Sequence, residues 1–160
     1  MLEVMPSLHS IAHFLVGFNI YWDGKMRRVL GKVHKNIANK WFLDKYENKK
    51  IVFYDDRLEH CKEHLNNYEK EEDFYYVYEN LDKIIKNPDY VYYDPSKKGL
   101  EYYKKMRGNI LVAVRVKEGT ELKVKSFYPV TDIKIENRQK KEEKAIKDAL
   151  IEKYRYKEPV

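Results

Sequence analysis

The chain has 160 residues, 43% apolar and 14% aromatic by type, with 6 Gly and 5 Pro, which excludes wholesale disorder, collagen-like chains and linker-rich chains and suits one domain rather than two cores. No apolar run approaches the roughly 18 to 20 residues of a membrane span, and no basic n-region precedes an apolar stretch, so neither membrane association nor a signal peptide is expected. The net charge is +6, yet it is unevenly spread: net +5 over residues 1–50, −5 over 51–100 and +6 over 101–160, a pattern that fits a folded domain with one basic face better than a uniform nucleic-acid coat.

The stretch from Ala12 to Trp22 is rich in aromatic and β-branched types and precedes the turn dipeptide Asp23-Gly24, which predicts a strand. A basic stretch, Lys25 to Arg28, follows. From Gly31 to Leu43 the apolar residues Val33, Ile37, Ala38, Trp41 and Phe42 fall at helical spacing. Ile51 to Tyr54 reads as a short β-type run. Asp55-Asp56 then opens a second helix, with Asp56 as N-cap, Glu59 three residues later, and Leu58, Cys61, Leu65 and Tyr68 as its apolar stripe. Glu69 to Asp73 reads as solvated loop, and Phe74 to Ile85 as a third helical stretch ended by Asn87-Pro88.

Beyond Pro88 the period changes. Tyr90–Tyr93, Leu100–Met106, Ile110–Val116 and Leu122–Tyr128 are β-rich runs separated by good turn chemistry at Asp94-Pro95-Ser96, Arg107-Gly108-Asn109 and Glu118-Gly119-Thr120. Three short connections predict an antiparallel meander, because parallel strands need long crossovers. Glu136 to Tyr156 is a charged helix with one apolar stripe. The expected class is α+β: N-terminal helices packed on a four-stranded antiparallel meander, plus a C-terminal helix. The expected organisation is an extension over 1–30, a core domain over 31–135 and a charged helix over 136–160.

Several side-chain groupings carry chemistry. Arg57, His60 and His64 sit at i, i+3 and i+7 and share one helix face. Two imidazoles and a guanidinium suit phosphate-ester cleavage: one His takes a proton, the other gives one, and the Arg holds the phosphate; the plainer reading is a surface pair. His60, Cys61 and His64 form H-C-x-x-H, but a zincin needs Glu after the first His, so no metal site is expected. Alternation over the last strand puts Val124, Ser126 and Tyr128 on one face and Lys123, Lys125 and Phe127 on the other. Ser126 and Tyr128 can then offer two hydroxyls to a phosphate; the plainer reading is a half-buried strand whose small polar residue happens to be Ser. Among the 15 tyrosines, Tyr102 stands beside Lys104, Lys105 and Arg107, a pattern suited to base stacking with backbone neutralisation, and equally to a stable hairpin. His9, His13 and His34 are read as structural or surface residues. No Gly-rich phosphate loop, dinucleotide fingerprint or G-x-S-x-G elbow is present, and no cofactor is expected. Cys61 is the lone cysteine, which points to a reducing, cytoplasmic setting.

Taken together, residues 30 to 130 resemble the phage-associated nuclease-like domains grouped with barnase, EndoU, the tRNase colicins and RelE (the BECR fold). The motifs that carry the resemblance are IVFYDDRLEHCKEH (Ile51–His64), LDKIIKNPDYVYY (Leu81–Tyr93), ILVAVRV (Ile110–Val116) and LKVKSFYPV (Leu122–Val130). The resemblance implies a compact α+β fold and metal-independent RNA cleavage that leaves a cyclic phosphate. It implies Arg57, His60, His64 and Ser126 as catalytic positions. The pattern of the residues themselves adds Lys125, Tyr128, Tyr102, Lys104, Lys105 and Arg107 as expected contacts to the RNA. It also implies phage, mobile-element or toxin contexts, including export without a signal peptide and a cognate inhibitor or immunity protein as partner. The alternative is a non-catalytic nucleic-acid- or protein-binding module on the same fold. One feature weighs toward it: His60 sits among Asp55, Asp56, Glu59, Glu63, Glu69, Glu71, Glu72 and Asp73, carboxylates that repel phosphate if they face the site.

Overall fold

The computed structural model describes residues 18–20 and 26–155. Of the first expected strand only β1 (Phe18–Ile20) falls within them; the Asp23-Gly24 turn, His9 and His13 lie outside. The other elements are β2 (Met26–Lys32), α1 (Lys35–Lys40), β3 (Lys50–Tyr54), α2 (Leu58–Cys61), α3 (Glu71–Glu79), α4 (Leu81–Lys86), β4 (Tyr90–Asp94), β5 (Gly99–Lys105), β6 (Asn109–Arg115), β7 (Glu121–Val130) and α5 (Asp132–Arg155).

The class is α+β, but the sheet is larger than a four-stranded meander. Six principal strands and the short β1 form one mixed sheet in the order β1-β2-β3-β7-β6-β5-β4. The meander β4–β7 is antiparallel throughout. β3 then pairs with β7 in parallel, and the long connection that a parallel pair demands runs through residues 55–120, the helical segment followed by β4–β6. Arg27 of β2 and Tyr54 of β3 both donate to the Glu121 carboxylate at the start of β7, pinning this junction.

Residues 26–28 of the basic stretch open strand β2. Its period is obscured by Arg28, a charged residue that is only 4% exposed. The Arg28 guanidinium donates to the carbonyls of Tyr78 and Glu79 (both 2.8 Å) and to Asp82 Oδ1 (2.9 Å). It thus occupies the C-terminal end of α3, where helix carbonyls lack partners and a cation is favoured. Gly31 lets α4 approach β2, since a Cβ there would stand 3.0 Å from Ile85 Cγ2.

Helices α3 and α4 cover one face of the sheet. Phe74 stacks on Phe127 at 5.2 Å and Phe53 meets Tyr78 edge-on at 5.5 Å, an apolar and aromatic core of the kind that dominates folding energetics. The expected loop Glu69–Asp73 is corrected in part: Glu71–Asp73 form the first turn of α3, and Asp73 is buried against Arg107 at 3.3 Å. The single third helix is two helices, broken at Asn80.

The helix opening at Asp55 is also corrected. It is a succession of 3-10 turn (Asp55–Arg57), one α turn (α2) and 3-10 turn (Lys62–Asn67), and Asp56 makes no N-cap. α1 ends at Lys40, and Leu43 N–H donates to Ala38 O at 2.8 Å in a Schellman-type closure. That closure puts Phe42 at φ +56, a left-handed position usually held by glycine, with strain of about 1–2 kcal/mol.

α5 lies along edge strand β4 and reaches the opposite face of the sheet. Arg138 donates to both oxygens of buried Glu101 (each 3.0 Å), and the Tyr93 hydroxyl donates to Glu152 at 3.2 Å.

Candidate active site

The face opposite α3 and α4 carries a hollow of about 500 Å³. Its position follows from register. Glu101, Ala113 and Ser126 are paired across β5, β6 and β7 and so form one row of side chains on one face. Ala113 is small, and the row dips there.

A β-bulge sets which residues of β7 look into this hollow. Ala113 pairs with Ser126 and Val114 with Val124, which leaves Lys125 as the extra residue. The simple alternation expected for this strand is therefore corrected. Val124 and Phe127 share the face packed by α3, while Ser126 and Tyr128 turn to the hollow. Arg57 stabilises the bulge: its Nε (3.2 Å) and Nη2 (2.7 Å) both donate to the Lys125 carbonyl.

His60, His64, Lys125, Ser126 and Tyr128 all line the hollow. The His64 ring lies 4.7 Å from the Tyr128 ring, tilted by 30°. His64 Nδ1 is 3.4 Å from Asn67 Nδ2, and His60 Nδ1 is 3.6 Å from the Glu63 carboxylate. Ser126 is 6% exposed as a residue, and its buried hydroxyl has no hydrogen-bond partner of ordinary geometry; the Cys61 thiol is its weak neighbour. Cys61 itself is fully buried, and burial pushes its thiol up from the usual value, so it serves as core. Among the described residues no group of three His, Cys, Asp or Glu side chains is placed to hold a metal ion.

Lys134, at the start of α5, completes the wall and carries no signal in the sequence before α5 is docked. It lines the hollow, its Nζ lies 5.5 Å from the Tyr128 ring centre, and among the described residues no ion pair engages it. Burial, opposed by Glu101 and joined by repulsion from Arg138 and Lys97, holds its ammonium below the usual lysine value. Lys97, Arg115, Lys125 and Lys134, together with Lys98, which pairs with Glu152, line the hollow against Asp94 and Glu101. Both of those carboxylates are paired with Arg138, at 3.9 and 3.0 Å. The hollow is therefore electropositive. None of the carboxylates flanking His60 in sequence lines it, and several are paired elsewhere: Glu59 with Lys62, Asp73 with Arg107 and Glu72 with Lys70.

The remaining candidates lie elsewhere. Arg57 stands behind the bulge rather than in the wall. Tyr102 is fully buried in the core, out of reach of a stacking base. Lys104 donates to Asn87 O (2.8 Å), the Lys105 N–H to Asp89 (2.7 Å), and Arg107 lies 4.3 Å from the Tyr76 ring. These three belong to the far end of the meander.

A family model described as phage-Barnase-EndoU-ColicinE5/D-RelE like nuclease3 matches residues 28–137. The matched span begins in β2 and ends in the second turn of α5, and so includes every residue that lines the hollow. No curated protein and no solved structure matches the chain.

Proposed function

The chain belongs to the phage-Barnase-EndoU-ColicinE5/D-RelE like nuclease family, and from that premise we propose that it cleaves RNA by internal transesterification in the hollow between α2, β7 and α5. The observation that carries this reading is the meeting of two imidazoles, a buried unpartnered hydroxyl and an unpaired ammonium on one cationic surface. In the proposed reaction one imidazole accepts the 2′-hydroxyl proton. The O2′–P bond forms, the P–O5′ bond breaks, and the departing O5′ takes its electron pair and a proton from the other imidazole. The products are a cyclic phosphate and a 5′-hydroxyl.

The second partners of the rings assign the roles. Glu63 beside His60 Nδ1 favours a proton there and leaves Nε2 as the base. The Asn67 amide beside His64 Nδ1 favours a proton on Nε2, the acid. Lys125 and Lys134 neutralise the phosphate, Ser126 donates to a phosphate oxygen, and Tyr128 packs the acid in place. Arg57 acts through the Lys125 bulge.

The test is incubation of the full chain with total RNA in EDTA, followed by analysis of the product ends. Cyclic phosphate and 5′-hydroxyl ends are expected; 5′-phosphate ends, or no cleavage, would overturn the proposal. The phage-associated family description fits a phage-linked role, and we extend the proposal to an effector or toxin restrained by an inhibitor. Expression should then arrest growth of a host, and the combined His60→Ala and His64→Ala variant should not; arrest by that variant favours a binding module.

A further inference from the structure

Beside the hollow lies a second cavity, of about 380 Å³. It is enclosed by the segment after α1, the β4–β5 turn, the β6–β7 loop and the C-terminal half of α5. Lys98 in the β4–β5 turn borders both spaces, so the two lie side by side at that turn.

The chemistry of the walls selects the occupant. The floor is apolar: Trp41, Leu43, Tyr46, Tyr93 and Ala149 are buried there. The rim is charged but balanced. Lys45 pairs with Glu118 at 2.9 Å, Lys98 with Glu152 at 3.9 Å, and Lys153 with Asp44. A phosphate would find each cation already neutralised, and a purely apolar ligand would leave the rim unused. A flat, uncharged ring with donors and acceptors on its edge satisfies both floor and rim, as a nucleobase does. Phe42 forms part of the wall in its left-handed backbone position, with Lys153 Nζ 5.7 Å from its ring. A strained residue kept where glycine fits better points to a use for its side chain.

We propose that this cavity is a nucleobase site, which takes one unpaired base of the RNA strand whose scissile phosphate lies in the neighbouring hollow. The proposal rests on the ribonuclease reading for the identity of the strand, but its binding step is separable from cleavage. The site makes the enzyme prefer strands longer than a dinucleotide and sets a base preference away from the cleaved bond.

The test is titration of the full-length chain with adenosine, guanosine, cytidine and uridine, followed through the Trp41 indole N–H resonance. At least one nucleoside should shift that resonance saturably. Phe42→Gly, which relieves the backbone and removes the wall, should fold and weaken that nucleoside at least fivefold. Ala149→Phe, which fills the cavity, should do the same where it folds. In cleavage assays one abasic position near the scissile bond should lower kcat/KM tenfold in wild type and leave Phe42→Gly unchanged, while dinucleotide cleavage stays equal in the two. No shift with any nucleoside, or unaltered affinity in Phe42→Gly, would overturn the site. Nucleoside binding by a chain that cleaves no RNA would retain the site and sink only the nuclease reading.

Discussion

The Arg57 guanidinium closes on the carbonyl oxygen of Lys125 with two hydrogen bonds, 3.2 and 2.7 Å long, across a sequence separation of 68. That carbonyl belongs to the bulged residue of β7, which has no place in the ladder with β6. The contact ties the turn that carries His60 and His64 to the strand that carries Ser126, and keeps Ser126 turned toward the hollow.

Removing the fork should loosen the hollow without emptying it. Arg57→Ala is expected to lose about 1–1.5 kcal/mol of stability, since both bonds are exposed to solvent, and to lower kcat more than it raises KM. Arg57→Lys should recover little, since an ammonium lacks the planar pair of donors. Equal kcat in Arg57→Lys and wild type would show that charge alone matters.

His60→Ala and His64→Ala should each lower RNA cleavage by on the order of a hundred- to ten-thousand-fold and leave the thermal midpoint within a few degrees. The assignment of base and acid is checked with a substrate whose 5′-oxygen is replaced by sulfur, a leaving group that needs no proton. It should rescue His64→Ala and not His60→Ala; the reverse pattern exchanges the two roles.

Ser126→Ala should separate stability from activity. The hydroxyl is buried without a proper partner, so its removal leaves nothing unsatisfied and is expected to hold or raise stability by up to about 1 kcal/mol. Cleavage should fall roughly tenfold, in line with a lost hydrogen bond to a charged phosphate. A large drop in the denaturation midpoint would instead make Ser126 a structural residue.

Glu101 is 9% exposed and depends on Arg138 and the Tyr103 hydroxyl (2.5 Å) for its hydrogen bonds. Arg138→Met strands that charge and should lose about 3–5 kcal/mol, with release of α5 and of Lys134 from the hollow. Adding Glu101→Gln should restore part of the loss, a coupling that a double-mutant cycle reads directly.

Alkaline pH should destabilise the fold before the lysines titrate fully. Burial pushes Tyr78 up to about 12, and burial together with the hydrogen bond to Glu121 does the same for Tyr54. Below the unfolded tyrosine value of about 10 both states hold the proton and the contribution is complete. Between there and about 12 the unfolded chain releases protons that the folded chain retains, so stability falls as pH rises. Tyrosinate absorbance measured against pH should show these groups ionising together with loss of the fold; their ionisation near the free value in a folded chain would contradict the burial.

The sequence by itself determined what short-range physics encodes. Turn dipeptides and β-rich runs marked all four meander strands, helical spacing found the buried Ile37, Ala38 and Trp41, and the short motifs carried the family resemblance together with His60, His64 and Ser126. The tertiary structure alone decided which of the candidate side chains meet. Tyr102 and Lys104 read like binding residues, but sheet packing buries the first and local partners take the second. β2 escaped notice because its buried charge is matched by carbonyls some 50 residues away. Lys134 became part of the hollow only once α5 docked, through contacts such as the Arg138–Glu101 pair, 37 residues apart in the chain. Periodicity reports the face of an element within a turn or two. Which face meets a hollow depends on register, a bulge and helix docking, and those are set by contacts between residues far apart in sequence.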